Sequence, residues 1–312
     1  MNEFEKINRR KFFKKGLTTG AAIFGSFYVG ITDKLFAKKS SSSIPDLVAV
    51  RNGEPEVMFD RAIASMGGMS KFIKKGQTVV VKPNIAWNRE IETGADTNPQ
   101  LIKRIVEHCL NVGAKKVYVF DNTCDTNWRK CYKNSGIEDA AKAAGAIVVP
   151  GNNEKYYEEV RIPGGKILKT TKVHELILET DVFINVPVLK HHGSTRLTIA
   201  MKNLMGVMWD RGWYHSNGLH ECIADFCLYR KPDLNIVDAY RVTMDNGPSR
   251  ARKEDVILKK SLLISRDIVA VDAAAAKIFG LEPGKVKHIR LGYDKNIGNI
   301  NLEELNIKKI VL

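Results

Sequence analysis

The chain has 312 residues, 44% of them hydrophobic and 27% charged. A chain of this length buries a large core without disulfide or metal staples, and five Cys are too few for a disulfide scaffold. The net charge of +14 is uneven: residues 1–43 carry nine basic and three acidic side chains, +6, and the remainder 40 and 32, +8. That mild excess favours anionic partners. No basic run interleaved with aromatics and no zinc-finger spacing occurs, which sets nucleic acid aside as a partner.

The N-terminus reads Asn8-Arg9-Arg10-Lys11-Phe12-Phe13-Lys14-Lys15, then a 16-residue apolar stretch over 17–32, then Lys34, Lys38, Lys39 and four serines. A charged region, an apolar region and a polar linker in that order are the parts of an export signal. The apolar stretch is shorter than the roughly 20 residues that span a bilayer. The arginine pair resembles a twin-arginine (Tat) signal, departing from its usual Ser/Thr-Arg-Arg-x-Phe-Leu-Lys at Asn8 and Phe13. Leu35-Phe36-Ala37 is a poor cleavage site. The expectation is export by the Tat translocase, to the periplasm or to the outer face of the inner membrane on an uncleaved anchor. The competing reading is a basic amphipathic segment of a cytosolic protein. Tat passengers commonly carry cofactors, which raises the expectation of one here.

Beyond the linker, Leu47-Val48-Ala49-Val50 reads as a strand and 56–66 as a helix. Thr78-Val79-Val80-Val81 is a β-branched run suited to a strand buried on both faces. The pattern predicts a helix over 99–112, with Asn98 as its cap, Pro99 in its first turn and Gly113 at its stop. A strand at 116–120, a helix at 137–144 and a strand at 146–149 follow. Residues 157–162 and 166–170 flank Pro163-Gly164-Gly165, a hairpin signal. A helix is expected at 174–179, a strand at 182–188, helices at 197–208 and 218–228, strands at 234–237 and 256–264, a helix at 268–279 and a strand at 305–311. This order predicts an α/β fold: a mostly parallel sheet, helices on both faces and an inserted β-hairpin. One such domain over 44–312 follows the leader of 1–43.

In parallel sheets, ligands sit beyond the carboxyl ends of the strands. The residues delivered there are Lys82-Pro83-Asn84, Asp121-Asn122-Thr123, Lys190-His191-His192, Asp238 and Arg266-Asp267. Each alone is readily a cap or a solvated loop; together they suggest a site. Four of the seven histidines fall between positions 191 and 220. Histidine serves both metal binding and proton transfer. Lys190 and Lys202 supply charge for a carboxylate or phosphate. No zinc-protease His-Glu-x-x-His occurs, but His192, His215 and His220 with a carboxylate are a candidate mononuclear metal set. The cysteines form no iron–sulfur motif, and Cys124 and Cys131 could pair after export. The turn Asn246-Gly247-Pro248-Ser249-Arg250 offers amides and a guanidinium to an anion. No nucleotide-binding glycine loop is present.

Lys82-Pro83-Asn84, Pro187-x-x-Lys190-x-His192, Lys202-Asn203-Leu204-x-Gly206, His220-x-x-Ile223-x-Asp225, Val237-Asp238, Asn246-Gly247-Pro248 and Ser265-Arg266-Asp267-x-Val269-Ala270-Val271-Asp272 occur in that order. In combination they resemble the domain-of-unknown-function family 362, over nearly the whole chain after the leader. Tat leaders are common in that family. Some members carry a ferredoxin-like module whose cysteines this chain lacks. The resemblance implies a site among Lys82, Asn84, Lys190, His192, Lys202, Asn203, His220, Asp225, Asp238, Asp267 and Asp272. The expected activity is a metal- or anion-dependent enzyme acting on a small acidic substrate, with redox chemistry an option. His192, His220, Lys190, Lys202 and Asp238 are the catalytic candidates. Lys82, Asn84, Asn203, Gly247 and Arg250 would bind the anion. His192, His220 and Asp225 would hold a single divalent metal or iron. The alternative is a periplasmic anion- or metal-binding accessory protein without turnover.

Overall fold

The computed structural model describes residues 44–312; the leader lies outside the described residues. Strands β1 (Leu47–Arg51), β2 (Thr78–Pro83), β3 (Lys116–Val119) and β4 (Ile147–Val148) alternate with helices α1 (Pro55–Ser65), α2 (Pro99–Asn111), α3 (Trp128–Asn134) and α4 (Ile137–Ala143). Next come β5 (Tyr157–Arg161), β6 (Thr170–His174), α5 (Glu175–Glu179), β7 (Val182–Val186), β8 (Val188–His192), β9 (Arg196–Thr198), α6 (Ala200–Asn203), α7 (Arg211–Ser216) and α8 (Leu219–Tyr229). The chain closes with β10 (Leu234–Thr243), β11 (Val256–Ser265), α9 (Ile268–Phe279), α10 (Lys287–Asp294) and β12 (Ile307–Val311).

The main sheet runs β12-β1-β11-β10-β7-β2-β3-β4, with β8 and β9 attached beside β10. Pairings from β10 through β7, β2 and β3 to β4 are parallel, as is β1 with β12. Only β11, against β1 and β10, and the β8–β9 hairpin run antiparallel in this sheet. The fold is therefore α/β with a mostly parallel sheet. The valine run of β2 shows why: Val79 and Val81 enter the core beneath α1 and α2, while Val80 enters the core on the opposite face, with residues of α8 and α9. A strand with both faces covered has no polar side to alternate with.

Asn98 accepts from the Gln100 amide and caps α2, with Pro99 at the first helical position. The inserted hairpin is the separate pair β5–β6. Its second strand starts at Thr170, not at Lys166, because the Ile167 and Leu168 amides donate to the Asp225 carboxylate instead of a ladder. The expected strand over 182–188 divides at Pro187 into β7 and β8, since proline has no N–H to give. The expected helix over 197–208 is strand β9, then the single turn α6, then a 3-10 turn Leu204–Val207. Asp272 on α9 accepts from the Ala200 and Met201 amides and fixes the start of α6. Helices α3, α7 and α10 stand where no regular element was expected. Among the described residues, no helix is long and apolar enough to cross a membrane.

Candidate functional site

Beyond the carboxyl ends of β2, β3 and β8 lies a cavity of about 350 Å³. Four cationic side chains line it, Lys82, Lys190, Lys202 and Arg211, against one carboxylate, Asp121. Asn84, His192, Asn203, Cys124 and His215 complete its polar wall.

Lys82 ends the apolar run of β2 and is fully buried. Its Nζ lies 3.0 Å from Asp121 Oδ1 and donates to Asn203 Oδ1 at 2.9 Å and to the Pro83 carbonyl at 2.8 Å. Burial lowers its pKa to about 8, with Asp121 opposing the shift. Gly206 makes this packing fit: a Cβ there would stand 1.9 Å from Asp121 Oδ1 and 2.6 Å from Lys82 Nζ. Lys190, on β8, donates to Asn84 Oδ1 at 2.8 Å and to the Ala95 carbonyl. Burial lowers it also, and the nearby Asp96 carboxylate pulls it back up.

Asn84 begins a directional series of amides. Its Nδ2 donates to Asn203 Oδ1 at 2.8 Å, Asn203 Nδ2 to Asn185 Oδ1 at 2.8 Å, and Asn185 Nδ2 to Asn235 Oδ1 at 3.0 Å. Asn235 Nδ2 reaches the Ser265 carbonyl at 3.5 Å. Every one of these asparagines is buried, so each needs its partners.

Lys202 differs from the other two lysines. It projects from α6 into the cavity wall with no hydrogen-bond or ion-pair partner among the described residues. Burial lowers its pKa to about 8, with Cys124 opposing the shift and Lys190 and Arg211 adding to it. Arg211, at the start of α7, spends its guanidinium on the Asn122 and Thr123 carbonyls.

His192 is 9% exposed. Its Nδ1 accepts from the Ser194 and Thr195 amides at 3.2 and 3.4 Å, so the ring proton belongs on Nε2. Burial, then Lys202 and Lys190, drives its pKa down to about 2. It is thus a neutral imidazole that donates from Nε2 into the cavity. A protonated Nε2 has no lone pair for a metal.

The structure brings Lys82, Asn84, Lys190, His192, Lys202, Asn203 and His215 to this one cavity, His215 stacking on His192 with ring centres 6.5 Å apart. It leaves the other expected residues elsewhere. His220 stacks on His288 with ring centres 5.8 Å apart. Asp225 accepts from the loop amides named above and lies 2.9 Å from Lys295 Nζ. His192, His220 and Asp225 therefore do not form a ligand set. Among the described residues, no three His, Cys, Asp or Glu side chains converge as a metal site. Asp238 accepts from the Asn98 and Tyr240 amides and supports the start of α2. Asp267 caps α9 through the Val269 and Ala270 amides. Gly247 donates to His191 Nδ1 at 3.2 Å and Arg250 is exposed, while their neighbours Pro248 and Ser249 form part of the cavity rim. Cys124 and Cys131 are both free thiols, the first exposed and the second buried.

Sequence reasoning missed Arg211 and Asp96 entirely and placed Asp121 and Cys124 only in passing. Asp96 accepts from the Ala86 and Trp87 amides through Oδ1, and its Oδ2 is buried without a partner. Burial pushes its pKa up to about 7, with Lys190 opposing. Nothing in a lone Ala-Asp-Thr signals such burial.

A mostly parallel α/β sheet with cationic, amide-rich strand ends defines the class. Residues 79–277 match the family described as a domain of unknown function, DUF362, and the chain belongs to that family. It is 24% identical over 229 residues to the thylakoid-associated protein sll1697 of Synechocystis sp., an alignment covering 71% of this chain and 68% of that protein. Among solved structures, it resembles a Thermotoga maritima crystal structure (TM-score 0.45, 12% identity, 78% of this chain) and the lactate racemase apoprotein of Thermoanaerobacterium thermosaccharolyticum (TM-score 0.43, 11% identity, 69% of this chain). The chain spans 60% and 53% of those two proteins.

Proposed function

We propose that this protein binds a small molecule bearing a carboxylate or phosphate in the Lys82–Lys190–Lys202 cavity and moves a proton on it. The observation that carries this is the unpartnered Lys202 ammonium facing a cavity whose other lysines are already hydrogen-bonded. Lys202 is half-buried; a cation drawn partly out of water without a partner is costly, and an anionic ligand removes that cost. Lys202, with a pKa of about 8, holds a proton it can give up near neutral pH and is the acid–base group. His192 donates from Nε2 to an oxygen that gains charge, and Lys82 and Lys190 supply the positive field. No metal takes part in this reading.

The test pairs binding with exchange. The full chain is titrated calorimetrically with inorganic phosphate and with small mono- and dicarboxylates. Any acid that binds is then incubated with the protein in heavy water and followed by proton NMR. Binding together with deuterium entry next to the carboxylate, both lost in Lys202→Gln, supports the enzyme. Binding without exchange leaves an anion-holding accessory protein, a reading favoured by Lys82 and Lys190 already being hydrogen-bonded to the protein. No binding rejects both.

We also propose that residues 1–43 send the chain through the Tat translocase and keep it at the membrane. The arginine pair and the poor cleavage site support this, and the Synechocystis relative is described as thylakoid-associated. Cell fractionation of wild type and of Arg9→Lys/Arg10→Lys tests it; an unchanged cytosolic location of both sinks it.

A further inference from the structure

Of the five cysteines, Cys109, Cys131, Cys222 and Cys227 are buried and only Cys124 is exposed. It does not face open solvent alone. It lines the cationic cavity with Lys82, Lys190 and Lys202. Its loop is held firmly: the Cys124 amide donates to the Ala86 carbonyl at 2.8 Å, and Arg211 grips the carbonyl of the preceding Thr123. A second, independent feature points to a ligand in the same space. His192 is 9% exposed, and its Nε2 has no protein partner and opens on the cavity.

We infer that Cys124 is a modification site for small anionic disulfides, which it captures because the cavity around it selects negative charge. The Cys124 thiolate attacks one sulfur of the disulfide. A bond forms between Sγ and that sulfur, the original S–S bond breaks, and the other half leaves as a thiolate. No oxidant beyond the disulfide is needed. With Cys131 buried and unpaired, no neighbouring thiol resolves the adduct, so the reaction stops at the mixed disulfide. The captured half carries its carboxylate to Lys202 and occupies the space of the natural anion. Cys124 is then a redox-sensitive stopper of the site. This rests on the anion-binding reading proposed above.

Thiol release kinetics on the reduced full chain test it. Dithiobis(nitrobenzoate), a dianion, is compared with uncharged dithiodipyridine, using mercaptoethanol as the free-thiol reference and inorganic phosphate as competitor. One fast thiol is expected, absent in Cys124→Ser. Its preference for the dianion over the uncharged reagent should exceed that of mercaptoethanol by about tenfold and should shrink with salt. Lys202→Gln should lower that preference by roughly threefold, and phosphate should slow the dianion alone. Circular dichroism confirms that both variants fold. A fast thiol surviving in Cys124→Ser, or a preference equal to that of mercaptoethanol, overturns the inference. If phosphate binds by calorimetry but the dianion gains no advantage, the anion site stands and this inference falls. If neither occurs, both fall.

Discussion

Lys82 Nζ and Asn203 Oδ1 lie 2.9 Å apart across 121 positions of sequence. One sits next to last in strand β2 and the other closes a four-residue helix, and Gly206 packs its backbone against the Lys82 ammonium. Replacing Gly206 with Ala forces a methyl into Asp121 and Lys82, the fully buried ion pair. Neither atom is the loose end of an exposed side chain. Gly206→Ala is expected to cost about 2–4 kcal/mol, read as a lower urea midpoint with unchanged slope.

Lys202→Gln should act in the opposite way on stability. The side chain has no protein partner to lose, and its removal relieves repulsion from Lys190 and Arg211. The melting temperature should stay level or rise while anion affinity falls about 10- to 100-fold. A matching loss of stability would show that Lys202 serves the fold instead.

The lysine pKa values set a pH window. Lys82 and Lys202 titrate at about 8, below the ordinary 10.5. Both are charged below that value, so anion affinity should hold through neutrality and fall as pH rises past 8. His192, lowered to about 2, stays neutral throughout and adds no acidic limb. Between 8 and 10.5 the unfolded chain binds protons that the folded chain lacks, so the free protein's stability should rise with pH there. An anion that recharges these lysines must take up protons. Calorimetry near pH 8 in buffers of differing ionisation enthalpy measures that uptake, and a buffer-independent enthalpy would count against it.

The family resemblance puts Asp272 among the site residues, and the structure gives it a supporting role instead. It accepts two amides at the start of α6, at 2.7 and 3.1 Å, against a burial that pushes its pKa up to about 8. Asp272→Ala leaves both amides unsatisfied. We expect a loss of about 1–3 kcal/mol and weaker anion binding, because α6 carries Lys202 and Asn203. Asp272→Asn, which keeps one acceptor oxygen, should recover part of both, as thermal melts and calorimetry will show.

The central strands were legible because both-face burial writes an uninterrupted apolar run, as in Val79-Val80-Val81, and Lys82, Asn84 and Lys190 follow such runs directly. Helix α2 was legible because Asn98, Pro99 and Gly113 punctuate it. The segment from Leu197 to Ser216 was not. Its apolar spacing fits a helix, but Asp272, far away in sequence, decides where the turn begins. Asp225 and Asp238 carried the pattern of site residues, yet each is consumed by backbone amides that no sequence spacing reveals. Arg211 stands on a six-residue helix with no periodicity to mark it.

The amide series behind Lys190 has only one direction available to it. An ammonium can only donate, so Asn84 must turn its oxygen to the cavity and its nitrogen inward, and each asparagine behind it must follow suit. Two buried lysines, Lys190 at Asn84 and Lys82 at Asn203, thereby order the polar interior of the sheet as far as the end of β11. Backbone carbonyls at Ala200 and Ser265 hold the far end of the series in the same sense.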